Sequence, residues 1–406
     1  MKRLTFSLLI LISTIFCCDK TRLGTTNLNK ENITTIDVSN VKNSPEKISP
    51  ISLLYDIEYL KLDTDSFFVT ETQKIIEFRD YLLIHDKNKR KLAVFSMDGS
   101  FVQEVGKQGL GPSEYKSIYD FDVDLKRGLI YVLSRGDLAY LVYDEKFNFL
   151  KKIQLEYWPD QISVLKNGSV AIYEVFENSD EYNISIHDKD GKLVSKHMPY
   201  PMNREYHATD YTGFISKDFY TYPFSSIIYE LKDNGSDSAL FEIKIPNQRS
   251  NELKFDQASY FNLANKENEE IIGKFTIGSD NEELFFSYSL KTAGRTSFPV
   301  GIRLKSGEIF SHANMYHGAY FQDGDFFTTL FLLGFYSLPS YSEASRSYYV
   351  ATNFENMTEY FFSQKDRALR EAREKAPELY EILSKLPEDK ESVIILKFKL
   401  KPSFKL

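Results

Sequence analysis

The chain has 406 residues, a formal net charge of −8 at pH 7 and 42% apolar residues, with 27 Tyr and 32 Phe against a single Trp. The apolar fraction excludes a disordered chain, two cysteines exclude a disulfide-stapled fold, and the acidic balance argues against a nucleic-acid-binding protein, which usually presents a basic face. Tyr and Phe favour strands, so the composition indicates β structure.

The amino terminus has the layout of a secretory signal peptide. Lys2 and Arg3 precede an apolar run from Leu4 to Phe16, which is too short to span a bilayer. The sequence therefore predicts a signal peptide over residues 1–17, and a plain signal peptide that releases a soluble chain stays open. Residues 18–50 are rich in Thr, Asn, Ser and Lys and show little periodicity, which predicts a flexible tether.

The end of this segment resembles the lipobox of bacterial lipoproteins, in which the first mature residue is a Cys that becomes lipidated. A small residue is preferred just before that Cys, which Cys17 satisfies for Cys18, whereas Phe16 does not for Cys17. The resemblance implies lipid attachment at Cys18, with Cys17 as the alternative, and so a membrane-bound protein of the cell envelope, at the outer membrane. The bulky Phe16 departs from the lipobox pattern.

A strand pattern repeats along the chain with a period near 45 residues. Each copy consists of apolar strands joined by polar turns, such as the hairpin at Asp98-Gly99. Equivalent positions in successive copies are separated by 48, 44 and 42 residues and are occupied by Phe95, Tyr143, His187 and Tyr229. A drifting period of this length with about four strands per copy is typical of a β-propeller.

The later copies predict how the propeller is completed. A fifth blade is expected over 283–310 and a sixth from Asp325, and apolar residues at helical spacing predict a helical insertion over 363–388. The strand Ile57–Leu62 has no room in blade one, so we expect it to pair with Val393–Phe398 in the last blade. The prediction is an all-β, six-bladed β-propeller over 51–406, closed by its two terminal strands.

The chain resembles the six-bladed β-propeller lipoproteins that are common in Bacteroidetes and are related to NHL-repeat propellers. The resemblance is carried by Asp56–Asp63, by Gly106–Tyr115 with the following Phe121–Asp124, and by the closing Leu386–Lys397. The chain departs from the family in lacking an Asn-Pro before the last strand. The resemblance implies an exported, lipid-anchored propeller and assigns no chemistry to any residue.

Linear catalytic motifs are missing from the sequence. The three-glycine segment Gly106–Tyr115 lacks the Gly-Lys-Ser/Thr ending of a P-loop and is predicted to be a turn between blades. No Gly-x-Ser-x-Gly elbow occurs. No two of the six His have the i, i+4 spacing of a helical zinc site, so no metal and no other cofactor is predicted, although ligands from separate blades could still meet at the axis.

Three aspartates alternate along one predicted strand and therefore share one face of it: Asp120, Asp122 and Asp124. We expect them to cap turns and to pair with neighbouring blades. A cation site in the central channel stays open as the alternative.

The loops between blades, and between the second and third strands of a blade, share one face of a propeller. The candidate ligand-binding residues in these loops are Glu114, Tyr115, Arg135, Trp158, Arg204 and His207. Exposed aromatic rings with Arg and carboxylates suit sugars or peptides. The simpler interpretation of Trp158 is that it packs between two blades.

The sequence thus predicts a monomeric ligand- or protein-binding module at the cell envelope rather than an enzyme. The expected partners, besides the membrane, are a glycan, a peptide or an envelope protein, and not a nucleic acid. The alternative is a propeller hydrolase or lyase that acts on an extracellular polymer through an axial carboxylate or metal site. Convergent titratable groups with shifted pKa values at the axis would favour the enzyme, and an axis filled with Phe and Tyr the binding module.

Overall fold

The computed structural model describes residues 33–43, 48, 50–63, 65–174, 182–199, 214–221, 225–231, 237–245, 272–292, 295–297, 299–315, 338–353 and 393–404, and a few positions between 366 and 384. Its strands, in chain order, are β1 (Thr34–Asp37), β2 (Leu54–Lys61), β3 (Thr72–Phe78), β4 (Tyr81–Asp86), β5 (Lys91–Ser96), β6 (Phe101–Glu104), β7 (Asp120–Asp124), β8 (Leu129–Ser134), β9 (Ala139–Tyr143), β10 (Phe149–Gln154), β11 (Pro159–Val164), β12 (Val170–Glu174), β13 (Tyr182–His187), β14 (Leu193–Pro199), β15 (Phe214–Ser216), β16 (Phe219–Thr221), β17 (Ile227–Leu231), β18 (Asp237–Lys244), β19 (Ile272–Ile277), β20 (Leu284–Tyr288), β21 (Leu290–Thr292), β22 (Arg295–Ser297), β23 (Val300–Arg303), β24 (Ile309–Phe310), β25 (Ser340–Ser342), β26 (Ser347–Asn353) and β27 (Val393–Leu400). Short 3-10 helices occupy Pro50–Leu53, Arg135–Asp137 and Ser279–Asn281.

The strands form a six-bladed β-propeller. Blades one to four are β3–β6, β7–β10, β11–β14 and β15–β18, blade five is β19-β20-β23-β24, and blade six is β25-β26-β27-β2. The first strands of neighbouring blades contact one another in a complete ring, which runs through β3, β7, β11, β15, β19 and β25 around the axis. The predicted all-β propeller is therefore confirmed, and the four equivalent positions identified in the repeat all lie in the third strand of their blades.

The ring is closed by the two ends of the fold, as predicted. Strand β2 pairs antiparallel with β27 and becomes the outermost strand of blade six, with Leu60 opposite Ile395. Ion pairs join Glu58 to Lys397 at 3.1 Å and Asp56 to Lys399 at 2.6 Å across the same pair of strands. Because these charges are largely exposed, we attribute most of the stabilisation to the main-chain ladder and to the apolar side chains it buries.

Each interface between adjacent blades contains its own buried apolar cluster. The alternation of side chains along a strand explains how one blade serves two interfaces. Leu82 packs between blades six and one, whereas its neighbour Leu83 packs between blades one and two. Strands that are buried on both faces are near-continuous apolar runs, which is why β4 and β9 lack a polar face.

The amino-terminal segment corrects part of the predicted tether. Within residues 18–50, strand β1 pairs in parallel with β18 at the outer edge of blade four. Ile36 is completely buried there, and Ile48 forms a bridge with Met315 of blade five. The tether is therefore shorter than predicted. Strand β1 pairs with the otherwise open edge of β18, and the apolar side chains of Ile36 and Val38 are buried there.

Several sequence predictions lie largely outside the described residues. These are the signal peptide with Cys17 and Cys18, the apolar segment from Asp325 and most of the helical insertion at 363–388, within which the few described positions, such as Arg370 and Glu381, are helical. The first described strand of blade six is β25, beyond the predicted start at Asp325. In the described part of the chain, no helix has both the length and the apolar character needed to cross a membrane.

Candidate functional site at the propeller axis

The first strand of each blade has one edge that faces the axis, where its main-chain NH groups lack a neighbouring strand and need other partners. Polar side chains of the preceding blade accept hydrogen bonds from several of these NH groups. Three such bonds connect neighbouring blades: Asp120 Oδ2 accepts the Ile162 NH at 2.9 Å, Gln161 Oε1 accepts the Ile215 NH at 3.0 Å, and Ser340 Oγ accepts the Ile75 NH at 3.2 Å. The polar residues of these strands are therefore required by the topology.

Asp122 is the most completely bonded of the axial carboxylates. Its Oδ2 accepts the Val164 NH at 2.8 Å, and its Oδ1 accepts the ammonium of Lys217 at 3.0 Å. Burial opposes ionisation of Asp122, but Lys217 and Lys74 outweigh burial and hold its pKa below the usual range. Burial likewise opposes the charge of Lys217, and Asp122 more than compensates, so that the pKa of Lys217 is raised.

The other two aspartates of β7 are also engaged. Asp120 Oδ1 lies 3.2 Å from the ammonium of Lys74 in blade one, and Asp124 binds the main chain and guanidinium of Arg127. The expectation that these carboxylates pair with neighbouring blades and cap turns is confirmed. Within the described ranges, no three His, Cys, Asp or Glu side chains are grouped to hold a metal ion.

Lys274 of blade five lies near the axis among charges from other blades. Its side chain is exposed, yet desolvation lowers its pKa and the ammonium of Lys87 adds to that effect, while Asp120, Asp160 and Glu71 oppose it. We attribute this combination to a position that solvent reaches but that protein atoms largely surround. Glu71 already pairs with Lys87 at 2.8 Å, and Asp120 with Lys74. Among the described residues, Lys274 has no ion pair of its own.

A second group of side chains lies beside these charges and is called here the Arg135 cluster: Tyr119, Arg135, Trp158 and Asp160. The 3-10 turn between β8 and β9 carries Arg135, whose guanidinium carbon lies 4.9 Å from the Tyr119 ring centre and 5.2 Å from the Trp158 ring centre. Arg135 also donates to the Tyr119 hydroxyl at 2.8 Å and lies 3.7 Å from Asp160 Oδ1. Two aromatic faces and a carboxylate therefore hold the guanidinium in place.

Asp160 connects the cluster to the axial charges. Burial raises its pKa, and the charge of Asp120 adds to this effect, whereas the Gln161 amide, Arg135 and Lys274 oppose it. Asp160 and Lys274 are thus two groups at one location whose pKa values are shifted toward each other, because both are desolvated and each has only partial compensation. The described groups that converge on the axis are charged rather than aromatic.

The structure brings together two of the six predicted ligand-binding residues, Arg135 and Trp158. Trp158 is 52% exposed, so the interpretation that it packs between blades is wrong. Glu114 lies in the turn between blades one and two, where it accepts the Gly111 NH at 2.8 Å, and this bond chiefly lowers its pKa. Arg204 and His207 lie outside the described residues.

Tyr115 requires a correction. It is completely buried in the apolar cluster between blades one and two, together with Tyr143. The chain bends sharply beside it at Gly106, whose φ is +69° and where an added Cβ would meet the Tyr143 hydroxyl at 2.2 Å. The aromatic ring of Tyr115 therefore fills the interface under a tight turn, and no ligand can reach it from the surface.

Three residues of the site, Tyr119, Asp160 and Lys274, were not predicted from the sequence. Tyr119 lies four residues after Tyr115 and contacts Arg135 within blade two, whereas Asp160 lies two residues after Trp158 and contacts Arg135 from blade three. Lys274 follows a polar stretch without periodicity. Only the circular order of the blades brings these side chains together.

Comparison with known proteins identifies the family and the fold. The sequence matches a family described as a domain of unknown function, DUF4934, over residues 33–397. No curated protein matches it. A Bacteroides fragilis protein whose name describes it as exported, as an inference, has a similar structure. The TM-score is 0.64, the sequence identity is 17%, and the alignment covers 91% of this chain and 100% of that one. A DUF4221 family member from Bacteroides vulgatus has a TM-score of 0.54 and 10% identity over 89% of this chain and 100% of that one. At such identities the likeness shows the fold alone.

Proposed function

Because the chain belongs to the DUF4934 family, a domain of unknown function, we propose its function from geometry: it is an exported binding module of the cell envelope that recognises an acidic oligosaccharide at the Arg135 cluster. Export is supported by the signal-peptide layout of residues 1–17 and by the similarity to a protein named as exported. We include in the proposal a lipid anchor at Cys18 and a position at the outer membrane.

The observation that carries the proposal is the exposed ring of Trp158 beside a fixed guanidinium. A flat indole face offers the apolar surface on which the C–H groups of a sugar ring pack. Arg135 is held by Tyr119 and Asp160, so little side-chain entropy remains to be lost when it binds a ligand carboxylate. The cluster therefore combines ring recognition with charge recognition.

The charge at the axis favours an acidic ligand over a neutral one. Lys274 is desolvated and has only partial compensation from Asp120, Asp160 and Glu71. A ligand carboxylate that approaches Trp158 would supply the missing opposite charge, and partial desolvation strengthens that attraction relative to bulk water. An acidic sugar with its ring on Trp158 satisfies both requirements at once.

The single tryptophan makes a direct test simple, because intrinsic tryptophan fluorescence reports on Trp158 alone. We expect acidic oligogalacturonate to change this fluorescence with saturation, and a neutral galactose oligomer of the same length to bind at least tenfold more weakly. R135M should reduce the affinity by about tenfold. R79M is a matched control, since Arg79 forms an exposed ion pair with Glu145 and lies over the Phe78 ring, outside the Arg135 cluster.

Failure of oligogalacturonate to bind, or equal binding of the neutral oligomer, would contradict the proposal. An acidic peptide that binds more tightly than the sugar, with the same dependence on Arg135, would reassign the ligand class while keeping the site. Binding that survives R135M as well as it survives R79M would place the site elsewhere.

A polysaccharide lyase is the second candidate, and the axis supports it by the criterion given above for an enzyme, since charged groups with opposite pKa shifts, Asp160 and Lys274, converge there. A lysine with a lowered pKa is closer to the neutral form that abstracts a proton, and a carboxylic acid with a raised pKa is closer to the form that donates one. The same oligogalacturonate separates the candidates: a lyase produces an unsaturated sugar end that absorbs ultraviolet light, and K274M abolishes it. Saturable binding without this product supports the binding module.

A further inference from the structure

A serine, a histidine and an aspartate form a continuous hydrogen-bonded chain between blades three and four, away from the axis. Ser195 and His197 alternate along β14 and therefore share one face of it. Ser195 Oγ lies 3.0 Å from His197 Nε2, and His197 Nδ1 lies 2.9 Å from Oδ1 of Asp237, which begins β18. Asp237 is held in turn by the Tyr220 hydroxyl, which donates to Oδ2 at 2.7 Å.

One neutral tautomer satisfies all of these bonds. With its proton on Nδ1, the imidazole donates to the Asp237 carboxylate, and Nε2 accepts the hydroxyl proton of Ser195. This is the arrangement in which histidine acts as the general base for a serine and the carboxylate orients the ring. The His197 side chain is only 6% exposed, while Ser195 is partly exposed, so the base is enclosed and the nucleophile faces outward.

A second serine–histidine pair in the same blade shows that the arrangement is specific. Ser185 and His187 have the same spacing on β13, and Ser185 Oγ lies 3.1 Å from His187 Nε2. There the carboxylate, that of Glu174, accepts a bond from the serine at 2.7 Å rather than from the imidazole. The Ser185 proton is therefore directed to Glu174, and Ser185 is 5% exposed. This pair lacks both the orientation and the access of Ser195.

We propose that Ser195, His197 and Asp237 form a serine esterase site, with Ser195 and His197 as the catalytic residues and Asp237 and Tyr220 as positioning residues. Ser195 Oγ attacks the ester carbonyl carbon while His197 Nε2 takes the hydroxyl proton. The ester C–O bond breaks, and the alcohol leaves with that proton. Water then attacks the acyl-serine, gives a proton to His197 and releases the carboxylic acid, and His197 returns the proton to Ser195.

The site does not depend on the proposed sugar-binding function. Its residues come from β14, β16 and the start of β18, whereas the Arg135 cluster lies at the beginnings of β7 and β11 and in the turn between β8 and β9. The substrates that fit this chemistry are small carboxylic esters, since Ser195 lies on a strand face between two blades.

The first test is covalent labelling of the purified protein with a fluorophosphonate probe, followed by peptide mapping. We expect the probe on Ser195, and hydrolysis of p-nitrophenyl acetate that S195A lowers by about 10³-fold. D237N should lower kcat more than it changes KM and should alter the pH profile of kcat, because the imidazole loses its orientation. S185A is the matched control and should retain both labelling and turnover.

A purely structural polar bridge gives a different pattern. The melting temperature would fall in S195A and D237N, no probe would be found on Ser195 of the folded wild-type protein, and the residual hydrolysis would be the same in wild type and S195A. The absence of probe on Ser195, or equal hydrolysis by wild type and S195A, overturns the proposal. The labelling experiment uses the unmodified protein, so its outcome does not depend on whether a variant folds.

Discussion

The ammonium of Lys217, in the turn between β15 and β16, lies 3.0 Å from the carboxylate of Asp122 in β7. The bond connects blade four to blade two and crosses blade three, whose Ser163 hydroxyl donates to the main-chain oxygen of Lys217 at 3.2 Å. Three consecutive blades are therefore tied at one point of the axis. Polar residues here perform the role that apolar side chains perform farther out in the interfaces.

Removal of this carboxylate should destabilise the propeller. We expect D122N to lower the free energy of unfolding by about 3 kcal/mol, because the ion pair between the buried Asp122 carboxylate and the half-buried Lys217 ammonium is lost. Denaturant unfolding measures the change, with D98N, in an exposed hairpin turn, as a control expected to cost less than about 1 kcal/mol. Equal losses of unfolding free energy in the two variants would show that the Asp122–Lys217 pair contributes no more to stability than an exposed turn residue does.

The same residue predicts a dependence of stability on pH. The pKa of Asp122 is lower in the folded protein than the value of about 3.9 in an unfolded chain. Its contribution is therefore fully present above about pH 4 and is lost as the pH falls through the lower folded value. The stability of wild type should fall more steeply than that of D122N below pH 4, and parallel curves would contradict this assignment.

A cross-link between the closing strands should stabilise the whole ring. Glu58 and Lys397 lie opposite each other in β2 and β27 and are on the surface side of the ladder. We expect E58C/K397C to form a disulfide on oxidation and to raise the free energy of unfolding by about 2–4 kcal/mol. The reduced form of the same protein is the control. No gain on oxidation would mean that closure is not what limits unfolding.

The pKa of Asp160 predicts how ligand binding changes with pH. Protonation of Asp160 removes a negative charge next to Arg135, so binding of oligogalacturonate should strengthen as the pH falls from 7 toward the raised pKa of Asp160. D160N should bind about fivefold more tightly at pH 7 and show a flatter pH dependence. Tryptophan fluorescence titrations at two pH values measure both effects. Weaker binding by D160N would indicate that the role of Asp160 in holding the Arg135 guanidinium outweighs its repulsion of the ligand carboxylate.

The lipid anchor has its own test. We expect C18A to abolish incorporation of a fatty-acid label and recovery in the membrane fraction, because Cys18 is proposed as the lipidated residue. C17A keeps Cys18 and a small residue before it, so it should still be labelled. The reverse pattern would assign the lipid to Cys17, and labelling of neither wild type nor variants would leave a plain signal peptide.

Tyr115 offers a contrast between packing and binding. Its hydroxyl is buried and has no hydrogen-bond partner among the described residues. We expect Y115F to raise the free energy of unfolding by about 1 kcal/mol, because it removes an unsatisfied polar group, and to leave ligand affinity unchanged. Reduced affinity in a stable Y115F protein would contradict the assignment of Tyr115 to the core.

Most of the fold was predictable because it repeats. The spacing of Phe95, Tyr143, His187 and Tyr229 identified the repeat, and the surplus strand near Ile57 identified the closure. Strand β25 was missed because three residues of Ser and Tyr carry no apolar alternation. Strand β1 was missed because its parallel partner lies more than 200 residues away, from Thr34 to Phe241.

The candidate sites were less predictable, since each depends on contacts between blades. Arg135 and Trp158 were identified because their loops share one face of any propeller. The pKa values of Asp160 and Lys274 depend on charges carried by other blades. His197 and Asp237 are 40 residues apart in the sequence, and nothing in the local pattern of either strand indicates that they meet.

The pairing of β2 with β27 also determines when the propeller ring can close. Lys61 and Ile394, which pair across these strands, are 333 residues apart in the sequence. Contacts with such sequence separation form late, and this one cannot form until β27 has been synthesised. The export proposed above, if it carries the chain in an extended form, would transport an open arc, and the sealed ring would then assemble at the destination.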